Sequence, residues 1–98
     1  MPRPKKNRCV SCKPDVTYFK PRGIPLMALE ELSITMDELE AIRLADYAGL
    51  YHEDAARKME ISRQTFGRIL NEARKKVAES LLKGKALKIE IKQKEDKQ

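Results

Sequence analysis

Between His52 and Asn71 the sequence reads HEDAARKMEISRQTFGRILN, and the stretch after Ser62 offers Arg63, Gln64, Gly67, Arg68 and Asn71. Arginine pairs bidentately with guanine, and glutamine or asparagine with adenine. A glycine among them lets the backbone approach a groove closely. These residue types, in a basic neighbourhood, point to reading of double-stranded DNA through the major groove. Around them lie groups suited to phosphate contact: Tyr51, His52, Arg57, Lys58, Ser62, Thr65, Arg74, Lys75 and Lys76. Four more basic residues, Arg3, Lys5, Lys6 and Arg8, form an N-terminal cluster. Such an arm either tracks a groove or serves as a solubilising tail. His52 is equally suited to a plain helix start.

The second reactive group is Cys9-Val10-Ser11-Cys12. A Cys-x-x-Cys pair supplies half of a tetrahedral metal site. There is no third cysteine and His52 is the single histidine. Zinc or an iron–sulfur cluster at Cys9 and Cys12 would therefore need a second chain, or water and a distant ligand. Three readings stay open for the pair: reduced bystander thiols, a metal clip and a reversible disulfide. No nucleophile–base–orienter set and no phosphate-cradling glycine loop is present, so no enzyme and no resident cofactor is expected.

A chain of 98 residues, 41% hydrophobic and 37% charged, makes one small domain. No apolar run nears the roughly 18 residues of a membrane span, and Met1 to Lys6 lacks the apolar stretch of a signal peptide. A cytoplasmic, nucleoid-associated location without membrane contact is the expectation. The net charge is +6, from 21 basic against 15 acidic residues. It falls in blocks. Residues 1–22 hold seven bases and one acid, residues 28–54 eight acids and one base, and residues 55–88 ten bases and three acids. Either a polyphosphate partner or a set of solvated faces produces such blocks.

The elements that must position these groups follow from caps and periodicity. All five prolines lie within the first 25 residues, which predicts an extended basic arm over 1–25 with a short edge strand at Val16–Lys20. Leu29–Ile34 fits either a strand or a helical turn. Thr35-Met36-Asp37-Glu38 reads as a capping box, opening a helix that Gly49 stops. A short helix follows from His52 to Met59, with Ala55, Ala56 and Met59 on one face. Glu60 then stands at a turn position that prefers glycine, at a cost of about 1 kcal/mol. Ser62 caps a helix from Arg63 to Lys83, ended by Gly84, with a stripe of Phe66, Ile69, Leu70, Ala73, Val77 and Leu81. At about 30 Å that helix outreaches a three-helix core, so Val77–Leu82 must cover the first helix, the arm or a second copy. Leu87–Ile91 alternates like a strand and needs a partner, either Leu32–Ile34 or Val16–Lys20. The fold class is mainly α: a three-helix helix-turn-helix domain over 26–91 with a short C-terminal β-strand, and a charged tail over 92–98.

The phrases MPRPKK, DELEAIRLADYAGL, HEDAARKMEISRQTFGRIL and ARKKVAESLLKGKALKIE, in that order, resemble uncharacterised protein family 251, also called domain of unknown function 134. The similarity runs from Met1 to about Glu90. It implies a small prokaryotic protein predicted to bind DNA, from a family that usually has glycine where this chain has Glu60. Asp37–Lys76 is also similar to the promoter-reading C-terminal region of bacterial sigma factors, which implies the helix placement and not a sigma activity.

The resulting expectation is a sequence-specific binder of double-stranded DNA, a transcriptional regulator that acts as a homodimer through Val77–Leu82 and Leu87–Ile91. Two other classes compete. One is an interaction module whose acidic block, Glu30 to Asp54, docks RNA polymerase or another regulator. The other is a non-specific nucleic-acid binder, RNA included, disfavoured by having only Tyr18, Phe19, Tyr47, Tyr51 and Phe66 as aromatic residues.

Overall fold

Thr35 ends a strand and starts a helix within one residue, because its two sides serve different partners. Its hydroxyl accepts from the Glu38 N–H at 3.2 Å, while the Glu38 carboxylate accepts from the Thr35 N–H at 3.0 Å. This reciprocal cap satisfies two helix-terminal donors, and the Asp37 carboxylate also bonds the Thr35 hydroxyl. The computed structural model describes residues 10, 11 and 13–91. In it helix α1 spans Met36–Ile42. The expected helix up to Gly49 does not stay α-helical: Arg43–Tyr47 forms a wider π turn, closed by the Ala48 N–H on the Arg43 carbonyl at 2.7 Å. Gly49 then reverses the chain with φ of 77°.

Helix α2 covers His52–Met59 and helix α3 Arg63–Lys83, with the bounds that capping and periodicity predict. Between them Glu60 is left-handed, φ 61° and ψ 42°. Ile61 returns its N–H to the Ala56 carbonyl at 3.1 Å, which closes the end of α2. Ser62 Oγ accepts from the Thr65 N–H at 3.0 Å and donates to the Thr65 hydroxyl at 2.9 Å. Gly84, φ 67°, ends α3.

The C-terminal strand has two partners. Strand β1 (Tyr18–Phe19) and strand β2 (Glu31–Thr35) flank strand β3 (Ala86–Glu90) in the order β1-β3-β2. β2 runs parallel to β3, with Glu31 opposite Ala86 and Thr35 opposite Glu90; β1 runs antiparallel, with Tyr18 opposite Lys88. The C-terminal strand thus takes both of its candidate partners in a small three-stranded sheet, which draws Tyr18 and Phe19 of the proline-rich arm into the folded body. The Leu29–Ile34 alternatives resolve into a strand, preceded by a 3-10 turn at Leu26–Ala28.

Two clusters fill the interior. Ala41, Leu44, Ala55, Ala56, Met59, Phe66, Ile69 and Leu70 pack where the three helices meet. Ile34, Ala73 and Ile89 seal α3 onto the sheet, joined by Met36, Leu39, Val77 and Leu87. Each large side chain fully withdrawn from water contributes about 1.5–3 kcal/mol. The second half of α3 therefore covers the sheet together with α1. Leu81, expected on that buried stripe, departs from it at 79% exposed, and Leu82 is 83% exposed. No helix among the described residues is long and apolar enough to cross a membrane.

Candidate nucleic-acid interface

The acidic block is explained by the fold itself. Each of its eight carboxylates has a partner inside the chain. Asp46 takes a bidentate pair from Arg74, at 2.6 and 3.1 Å. Glu38 accepts from Lys76 Nζ at 2.9 and 3.2 Å, and Glu30 lies 3.4 Å from Lys85. Arg57 bonds Asp54 at 2.9 Å and sits 3.9 Å from Glu53. Glu31 accepts from the Tyr18 hydroxyl at 2.6 Å, and Asp37 belongs to the α1 cap. Glu40 pairs with Arg43 at 2.8 and 2.9 Å. Two of these pairs, Glu38–Lys76 and Asp46–Arg74, join α1 and its π turn to α3. The electrostatics follow. Hydrogen bonding by Arg74 holds the Asp46 carboxyl below its usual value, and the Arg74 guanidinium rises correspondingly. Lys85 does the same to Glu79, which it bonds at 2.6 Å.

This pairing sorts the cations of α3. Arg74 and Lys76, expected at phosphates, are turned toward α1 and neutralised there. Arg57, on α2, is likewise tied to its own helix. Among the described residues, Lys58, Arg63 and Arg68 make no ion pair within 4 Å, Lys75 interacts with Glu79 one turn along α3, and all four cations are exposed. Helical geometry collects Gln64, Arg68, Asn71 and Lys75 into a stripe about 60° wide and about 16 Å long on the solvent face of α3. Gly67 borders that stripe, half-buried, and a Cβ built on it would meet nothing within 4 Å. Arg63 occupies the first turn, well around the helix from Arg68. The two arginines therefore project in different directions.

The supporting groups have mixed placements. Tyr51 is 81% exposed immediately before α2. His52 is half-buried with its ring edge-on to Phe66, centroids 5.4 Å apart, so its ring packs on the core. Ser62 and Thr65 are engaged in capping α3. Arg3, Lys5, Lys6, Arg8, Cys9 and Cys12 lie outside the described residues. Among the described residues no three His, Cys, Asp or Glu side chains cluster as a metal ion would require.

One side chain was missed by periodicity alone. Glu40 is 2% exposed, the buried charged residue of the described set, and besides Arg43 it accepts the Ser11 N–H at 3.1 Å. A charge taken out of water needs such hydrogen bonds. It ties the arm to α1 at a fixed point. The sequence signal is Arg43, the lone base of the acidic block, placed three residues after Glu40 on one helix.

Known proteins align with nearly the whole chain. A UPF0251 protein of Desulfosudis oleivorans is 59% identical over 90 residues, which cover 92% of this chain and 65% of that protein. One from Caldanaerobacter subterraneus is 56% identical over 90 residues, covering 92% and 76%. One from Moorella thermoacetica is 56% identical over 90 residues, covering 92% and 60%. The chain thus spans about two thirds of the length of these curated relatives. No solved structure matches it. The family model described as protein of unknown function DUF134 matches residues 1–96, and the chain belongs to that family.

Proposed function

We propose that the protein is a sequence-specific binder of double-stranded DNA, with α2 and α3 forming a helix-turn-helix of the sigma-factor C-terminal kind. α3 is the helix that enters the major groove. One observation carries the reading. Arg68 makes no ion pair among the described residues and shares its solvent-facing stripe with Gln64, Asn71 and Lys75, whereas Arg74 and Lys76 are paired with Asp46 and Glu38. A solvated helix face with no partner would need no such segregation. The left-handed Glu60 supports it too, since it gives the sharp reversal this motif requires at that position.

In this reading Gln64, Arg68 and Asn71 meet base edges along the stripe, and Arg63 reads from the first turn. Lys58 and Lys75 flank them at phosphates. Transcriptional regulation is the role such a module serves. The rival view of an acidic docking face loses support, because those carboxylates are already bonded within the chain.

The test begins with a duplex selected by the full chain from a random library, compared with its scrambled version by fluorescence anisotropy. A lost bidentate base contact costs about 1–3 kcal/mol. Arg68→Ala should thus weaken the selected duplex by roughly 5- to 150-fold and leave the scrambled one nearly unchanged. Lys75→Ala should weaken both alike and lower the salt slope by about 0.9. Equal losses on both duplexes for Arg68→Ala would make the protein a non-specific coat. No duplex binding at low salt would overturn the reading altogether.

A further inference from the structure

Beside the reading stripe, a second face of α3 has the makings of an interface. Where α3 passes α1 and its π turn, Ile42, Val77, Ala78 and Leu81 line an open apolar groove of about 260 Å³, with Asp46 and Arg74 on its rim. We infer that this groove is the contact between two copies of the chain, each inserting Leu81 beside the groove of the other across a two-fold axis. The inference deepens the DNA-binding reading and its DNA arm rests on it.

Two observations favour a second copy. First, the face supplies both halves of a self-complementary contact: a hollow, and on its own wall a leucine with 79% of its surface in water. An isologous interface needs that combination on one patch. Second, two chains of net charge +6 repel, so self-association needs a patch whose cations are cancelled. Here Arg74, on the rim of the groove, is paired bidentately with Asp46. A two-fold can bring such an acid–base rim against its own copy with opposite signs facing.

The placement also suits the function. Arg74, Ala78 and Leu81 lie about a quarter turn around α3 from the Gln64–Asn71 stripe. A partner seated on them leaves the reading side chains uncovered. From Leu81 to the middle of the stripe is about 17 Å along the helix. Two copies joined near Leu81 present two such stripes, as a site on successive major grooves requires. Neither single stripe could span two such grooves.

The test is sedimentation of the full chain at 1–100 μM without DNA, wild type beside Leu81→Asp and Ala78→Arg. Both altered side chains are exposed, so circular dichroism should show unchanged helix content. The expected result is a wild-type species of twice the 11.3 kDa chain mass, with both variants monomeric and folded. A monomeric wild type overturns the inference, as does a dimer that survives both substitutions, or any larger closed assembly. In a second arm the library-selected duplex should carry two half-sites about 10 base pairs apart. Leu81→Asp should keep half-site binding and lose roughly the 10²-fold gain that linkage gives the full site. Failure of DNA reading would leave the sedimentation result standing, and a failed dimer would leave half-site binding intact.

Discussion

Replacing Glu60 isolates one backbone conformation from everything else in the turn. Glu60 holds φ 61° and ψ 42°, a region that costs an L-residue about 1–2 kcal/mol relative to the right-handed well. Glycine escapes that penalty but loses about 0.5–1 kcal/mol through its freer unfolded chain. The net expectation for Glu60→Gly is a gain of about 0.5–1 kcal/mol. Glu60→Ala removes the same carboxylate and keeps the Cβ, so it should stay within about 0.5 kcal/mol of wild type. Comparing the two variants cancels any effect of the side-chain charge near Arg57 and Lys58. Urea titrations at one pH and ionic strength give both free energies. Thermal melts should show Glu60→Gly about 3–6 °C above wild type for a domain of this size. A Gly variant no more stable than the Ala variant would refute the argument. Strain at Glu60 would then not be what limits this turn.

Other perturbations test the remaining joints. Thr35→Ala removes one half of the reciprocal cap of α1 and should cost about 1 kcal/mol in urea titration; Thr35→Ser should recover most of it. Asp46 is held below the usual carboxyl value by Arg74, so its contribution exists above the unfolded value of about 3.9 and fades as pH falls through the folded one. Asp46→Asn should thus lower stability by about 0.2–1 kcal/mol at pH 7 and match wild type once pH drops below both values; parallel curves across that range would contradict this. Glu40→Ala should cost about 1–3 kcal/mol, because the charged hydrogen bonds that the buried carboxylate makes to Arg43 and to the Ser11 N–H are lost. Limited proteolysis should then cut sooner near Ser11.

How far the sequence spoke depends on the range of the interaction. Thr35, Ser62 and Gly84 act on neighbours within four residues, and the helix bounds they predict agree with the structure. The strand after Gly84 was legible from alternation, yet its neighbours were not. Pairing over tens of residues leaves no local periodicity, and both proposed partners turned out to be used, one on each side. The π turn at Arg43–Tyr47 was hidden for another reason: its sequence, RLADY, keeps near-helical apolar spacing while the hydrogen bonds lengthen by one residue. At the candidate site, the stripe of α3 was visible as residue types. The neutralisation of Arg74 and Lys76 was not, because their carboxylates lie 28 and 38 residues away. The alternating charge blocks consequently suggested an external polyanion for cations that the chain itself balances.

The parallel pairing of β2 with β3 sets an order of events during synthesis. The register joins Glu31 to Ala86 and Thr35 to Glu90, so β2 must wait for a stretch of chain made 55 residues later. At 5–20 residues per second that delay is roughly 3–11 s. All three helices are complete before the sheet can close over Ala73 and Val77. Through that interval Leu32 and Ile34 sit on an unpaired strand edge, the kind of surface that recruits foreign strands. Two nascent chains on neighbouring ribosomes could then exchange β3. Such a swapped pair would be joined through the sheet and would differ from any dimer formed by finished molecules.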